Sequence, residues 1–167
     1  TSEASPNILV SGDFSPDKLK SRAASGHVYV LRLNSRGQFL WIAGVPKSQV
    51  IMKGYPEEAS CIVHHINGQT YLLFNENPRT QESLKNGSIV DYYGSETARH
   101  TCLREVYINN KGKVQYRFIE NTLDKQEAIW PNETCFVSDQ KAVLSARQGN
   151  KLRFLKIILI DQWMKRT

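Results

Sequence analysis

Val28-Tyr-Val-Leu-Arg-Leu-Asn-Ser-Arg-Gly-Gln-Phe-Leu-Trp41 and Leu103-Arg-Glu-Val-Tyr-Ile-Asn-Asn-Lys-Gly-Lys-Val-Gln-Tyr116 are two copies of one pattern, 75 residues apart. Leu33 falls on Ile108, Asn34 on Asn109, Gly37 on Gly112, Phe39 on Val114 and Trp41 on Tyr116. Each copy reads as a β-branched and aromatic strand, a short polar turn, and a return strand. The glycine sits where such a turn needs a left-handed backbone, which glycine adopts without steric cost. Both stretches are therefore expected to be antiparallel hairpins.

Working outward, a hydrophobic strand precedes or follows each hairpin. Residues 7–12, 69–75 and 141–146 each begin on a polar residue and continue apolar. The second and third follow another strand across the tight turns Asn67-Gly68 and Ser138-Asp139-Gln140. Strand signal also covers residues 60–66, 134–138 and 151–160, with 89–93 as a weaker stretch and 16–24 as a possible helical turn. No long amphipathic helix is present. The expected fold is all-β, one domain over residues 1–167, with blade-like units at 7–46, 60–120 and 134–160 and a tail at 161–167. Repeated four-stranded antiparallel meanders are the unit of a β-propeller blade. The units hold three, four and three strands, or about two and a half blades of a partial β-propeller, which implies a piece of a longer protein. A small β-sandwich is the alternative.

The segments Val28-Tyr-Val-Leu-Arg-Leu, Val45-Pro-Lys-Ser-Gln49, Tyr71-Leu-Leu-Phe-Asn-Glu-Asn-Pro78 and Lys151-Leu-Arg-Phe-Leu-Lys-Ile resemble the C-terminal portion of a group of uncharacterised bacterial proteins with propeller-like repeats. That resemblance implies export, toward the periplasm or the cell surface. It brings no activity with it, and Arg79-Thr80 departs from the Lys/Asn pair expected after the Asn loop.

Charge and cysteine content narrow the function classes. The net charge is +6, yet the basic residues are dispersed without a block of five or six, so a nucleic-acid partner is not expected. No apolar run approaches the length of a membrane span. Cys61, Cys102 and Cys135 lie in strand-like surroundings with no metal-ligand spacing. One disulfide is compatible with the count, and the spacing does not choose the pair. His64 and His65 are adjacent in a strand and so point to opposite faces, which rules them out as joint ligands of one ion.

A weak ligand site is expected at Asn75, Glu76 and Asn77, where a strand runs into a loop. Their side chains could hydrogen-bond a sugar or simply close the turn before Pro78. Tyr92 and Tyr93 join them from the long connection at 78–101, whose length suggests a functional insertion. Trp41, Tyr55, Trp130 and Trp163 are further aromatics, for stacking or for packing between sheets. No nucleophile elbow, phosphate loop, dinucleotide fingerprint or zinc-protease motif occurs. Glu57, Glu58, Asp91, Glu105 and Asp124 supply carboxylates without a pattern that pairs them. The expectation is a non-catalytic, propeller-type binding or scaffolding module without cofactor or metal, with a glycan or protein ligand. Self-association through open sheet edges is a further expectation. The alternative is a glycan-active enzyme fragment with an acidic pair in a propeller channel.

Overall fold

The structure is a computed structural model that describes residues 8–12, 23–51, 56–94, 101–119, 127–138, 141–148 and 150–158. Its strands are β1 (Ile8–Gly12), β2 (Ala23–Ser25), β3 (Val28–Leu33), β4 (Phe39–Val45), β5 (Gln49–Ile51), β6 (Ile62–Ile66), β7 (Gln69–Glu76), β8 (Cys102–Ile108), β9 (Val114–Ile119), β10 (Ala128–Ile129), β11 (Cys135–Ser138), β12 (Lys141–Gln148) and β13 (Lys151–Ile158). Strand pairing within every sheet is antiparallel. The first sheet has the order β1-β3-β4, and the middle sheet the order β6-β7-β8-β9. In the last sheet β12 is flanked by β13 on one side and by β10 and β11 on the other, and β2 pairs with β5 as a short ribbon.

The repeated hairpins are alike down to single atoms. Asn34 accepts at its carbonyl from the Gly37 amide, and its Oδ1 accepts from the amides of Arg36 and Gln38. Asn109 does the same with Gly112, Lys111 and Lys113. Gly37 and Gly112 take φ of 76° and 79°, the left-handed region that the turn requires. Asn67 and Gly68, at φ 50° and 74°, make the tight turn between β6 and β7.

The return strands are not in phase with the sequence alignment. A β-bulge between Arg32 and Leu33 leaves Trp41 opposite Arg32, whereas Tyr116 lies opposite Val106. Trp41 and Tyr116, equivalent in sequence, thus point to opposite faces of their sheets. A single extra residue is enough, because side chains alternate with a period of two.

The three sheets are stacked as layers. Val28, Val30, Ala43 and Val45 of the first sheet pack on Leu72, Phe74, Val106 and Ile108 of the middle sheet. On its other face the middle sheet buries Tyr71, Leu73, Leu103 and Tyr107 against Ala142, Leu144, Ala146 and Ile157 of the last. That double burial explains why Tyr71-Leu-Leu-Phe74 shows no polar alternation, and why every residue of β8 is buried. Fully burying a side chain such as Leu72 or Leu103 stabilises by about 2 kcal/mol.

The expected partial propeller is corrected by this arrangement, and with it the resemblance to propeller-like repeat proteins. Among the described residues the sheets are open, with edge strands at both ends, and none closes or curls into a ring of blades. The sandwich alternative fails as well, since the middle sheet is covered on both faces rather than one. The long connection folds locally, as α1 (Thr80–Ser83) followed by a 3-10 turn at Leu84–Asn86. Only Tyr92 of the weak 89–93 strand pairs, through a parallel bridge to Gln49. Residues 16–22 of the expected helical turn lie outside the described residues, as do Tyr55, Asp124, Trp163 and the 161–167 tail; Ala23–Ser25 is strand.

Candidate functional site

Residues 75, 76 and 77 end the central strand of the stack, and they point in different directions. Asn75 faces the last sheet. Its Nδ2 donates to the carbonyls of Ile129 at 2.9 Å and Glu58 at 3.2 Å, and its Oδ1 accepts from the Ile129 amide at 3.0 Å. Its backbone carbonyl accepts from Gln49 Nε2 at 2.6 Å. One buried asparagine, through its side-chain amide and its backbone carbonyl, thus satisfies groups from three separate segments.

Glu76, the next residue along the strand, points to the opposite face. Its Oε2 lies 3.4 Å from Arg104 Nη1, with both side chains fully buried. Nη1 also donates to the Pro46 carbonyl at 2.7 Å. The guanidinium lies over the rings of Tyr116 at 4.7 Å, Phe74 at 5.6 Å and Phe118 at 5.8 Å. Among the described residues Arg104 Nε and Nη2 find no acceptor, and the guanidinium faces aromatic rings instead. Lys47 completes this cluster, its Nζ donating to Ser25 Oγ at 2.6 Å and lying 5.6 Å from the centre of the Phe74 ring. Burial pushes the Lys47 ammonium down to about 8 and the Glu76 carboxyl up to about 7. Arg104 and the hydrogen bonds from Asn77 and Thr80 oppose the Glu76 shift without cancelling it. Burial also raises the Cys61 thiol, with nearby Lys47 pulling the other way.

Asn77 ties in the long connection. Its Nδ2 donates to the Asp91 carbonyl at 3.0 Å, and its Oδ1 accepts from the Arg79 amide at 3.0 Å. Tyr92 is fully buried, donating from its hydroxyl to Glu58 Oε2 at 2.7 Å. Burial and the Glu58 charge hold that hydroxyl well above its ordinary pKa. Tyr93 is the exposed member, its hydroxyl 3.2 Å from Asp91 Oδ2.

All five residues expected to hold a ligand therefore gather around the end of β7, with Asn75 and Glu76 turned to opposite faces of the middle sheet. Four are occupied there with structural hydrogen bonds, and Tyr93 alone presents its ring to solvent. The sequence reading missed Lys47 and Arg104, because a cation inside a strand looks like a solvated face until its neighbours are known. It also missed the pairing of Tyr55-Pro56-Glu57-Glu58 with Trp130-Pro131-Asn132-Glu133, again 75 residues apart. Pro56–Glu58 and Pro131–Glu133 each form a 3-10 turn, leading to β6 and β11. Glu58 receives Tyr92, while Glu133 receives Ser145 and Arg147.

The other candidates have structural surroundings. His64 stacks on Phe136 with ring centres 4.0 Å apart, and His65 Nδ1 sits 3.1 Å from Thr70 Oγ1. The three cysteines are free. Among the described residues, no group of three or more His, Cys, Asp and Glu is placed to hold a metal ion, and no helix is long and apolar enough to cross a membrane.

The expected propeller-type binding or scaffolding module is corrected here, together with the enzyme alternative that placed an acidic pair in a propeller channel. Among the described residues the sheets are open and form no ring that would enclose such a channel. Glu76, the carboxylate nearest that role, is enclosed with Arg104 between two sheets. Compared with protein-family models, curated proteins and solved structures, the chain matches none.

Proposed function

We propose that this protein works by contact with other protein surfaces, through the outward face and free edge of its first sheet. One observation carries the reading. Tyr29, Phe39, Leu40 and Ile42 are large apolar residues exposed together on β3 and β4, with Ile42 57% exposed. Among the described residues β4 pairs only with β3, so its outer edge offers unpaired amides and carbonyls beside that apolar surface. Scattered apolar residues on a surface need no explanation, but a cluster beside a free strand edge favours association. An approaching segment could add to the edge by main-chain hydrogen bonds and gain specificity from the side chains.

The test is a photo-crosslinking residue placed at Ile42, with Lys85 on the exposed local helical segment as the control position. The reading expects protein adducts at position 42 several-fold above those at position 85. Equal yields at both positions, or none at either, would overturn it.

A second reading rests on Tyr93, whose exposed ring beside Asp91 suits stacking on a glycan. A glycan array should then show binding that Tyr93→Ala removes; no binding by the unmodified chain ends this reading.

A further inference from the structure

The stack is built by using one contact twice. The 75-residue offset carries Val28 onto Leu103, and these lie on matching faces of their sheets. Val28 is packed on the middle sheet, and Leu103 is packed on the last. We call this the leading face of each sheet. The surface it meets is the trailing face of the next sheet, formed around Leu72 in the middle sheet and Leu144 in the last. Leading-on-trailing is thus the contact at both junctions.

Among the described residues, two faces have no covering sheet. One is the trailing face of the first sheet. Leu31 there is the equivalent of Val106, and Ile42 pairs with Leu31 as Tyr116 pairs with Val106. Val106 is fully buried where Leu31 is half-buried, and Ile42 is 57% exposed against 42% for Tyr116. The other is the leading face of the last sheet. Phe154 and Leu152 pair with Ser145 and Arg147, in opposite alternation to the core pairs Leu155–Leu144 and Ile157–Ala142. Phe154 is 67% exposed and Leu152 48% exposed, while Leu103 on the middle sheet's leading face is fully buried. The hairpin turns agree. Gly112 in the middle sheet is covered by Trp41 from the first sheet, but the matching Gly37 has nothing within 4 Å of a Cβ position.

We propose that the leading face of the last sheet seats on the trailing face of the first sheet in a second copy of this chain, head to tail. This rests on the protein-contact reading above and names its partner. Among the described residues, one face of each kind is unused, and each kind already binds its opposite inside the molecule. A second copy supplies the missing opposite to both. Because unlike faces meet, the contact is heterologous: every copy added leaves one of each face free, so assembly continues or closes into a ring.

Complementary charged variants separate this from other modes. Ile42→Lys spoils only the trailing face, and Phe154→Lys only the leading face. By sedimentation velocity, each variant alone should run at the monomer mass of 19.1 kDa. An equimolar mixture should form a species of twice that mass and stop there, since it contains one intact interface. The milder Ile42→Thr and Phe154→Ser should weaken wild-type self-association about tenfold or more while keeping the strands, as far-UV circular dichroism would verify. A mixture that stays monomeric overturns the proposal, as does either lysine variant that still dimerises alone, because that marks a like-on-like contact. A monomeric wild type that still gives protein adducts at position 42 overturns the second copy as partner and leaves the protein-contact reading standing. Absence of adducts ends that reading instead.

Discussion

Trp41 of the first sheet lies flat against Gly112 of the middle one: a Cβ on Gly112 would meet the indole Cδ2 at 2.9 Å and Cγ at 3.0 Å. The indole Nε1 donates to the carbonyl of Asn110 at 3.0 Å, and Arg32 Nη1 donates to the same carbonyl, also at 3.0 Å. One hairpin turn is thereby clamped by the neighbouring sheet.

Gly112→Ala and Gly37→Ala separate the two demands on these glycines. Both place alanine at a left-handed φ, which costs about 1 kcal/mol. Only Gly112→Ala also runs into Trp41, and that contact should add about 1–2 kcal/mol. Urea unfolding of both variants, repeated in a Trp41→Ala background, measures the difference. Equal losses for the two glycines in the Trp41 background would show that the turn is not clamped.

Asn75→Ala should rank among the most damaging single substitutions. It strands the Ile129 amide and two buried carbonyls, at about 1–3 kcal/mol for each group left unsatisfied. Amide exchange should accelerate at Ile129 more than at Val30, which lies in the opposite junction. Uniform acceleration would mean Asn75 does not hold this joint in particular.

Glu76 gives a pH signature of definite sign. Burial raises its carboxyl from the ordinary value to about 7, so the folded chain holds a proton there that the unfolded chain has already lost. Its contribution is fully present below the unfolded pKa, near 4.5, and is lost as pH rises toward 7. Stability should therefore fall across that window, and Glu76→Gln should flatten the slope. Lys47 acts in a higher window. Its ammonium is lowered to about 8, so between 8 and 10.5 the unfolded chain binds the extra proton and stability rises with pH. Urea midpoints at a series of pH values test both signs; an unchanged profile in Glu76→Gln would contradict the first.

Thiol labelling reads the burial of the three cysteines. Cys135 is exposed and should react at once with an aromatic disulfide reagent. Cys102 is buried and should react only on unfolding, with Cys61 between the two and slowed further by its raised pKa. Three equally fast thiols would contradict the stacking of the middle sheet.

The hairpins were legible because their instructions are local. Asn34 and Gly37, like Asn109 and Gly112, specify a turn through their own side chains and backbone. The layered arrangement was not legible, because the same strands can serve a blade or an open stack, and only contacts between distant residues decide. Tyr71-Leu-Leu-Phe74 did carry a hint, since an apolar run without alternation means burial on both faces. The phase of Trp41 was hidden by a one-residue bulge that no spacing reveals. At the candidate site, sequence placed Asn75, Glu76 and Asn77 at a strand end. It missed that Asn75 and Glu76 are turned inward to opposite junctions, and that Arg104 and Lys47 share the Glu76 side.

Sedimentation velocity of the wild-type chain over a wide range of concentration tests the central claim, that the two outer faces of the stack bind each other between copies. We expect a weight-average mass that climbs above 19.1 kDa with concentration and passes beyond the dimer, as a head-to-tail contact requires. A single species at the monomer mass throughout, or one that stops at the dimer with both end faces still exposed, would contradict it.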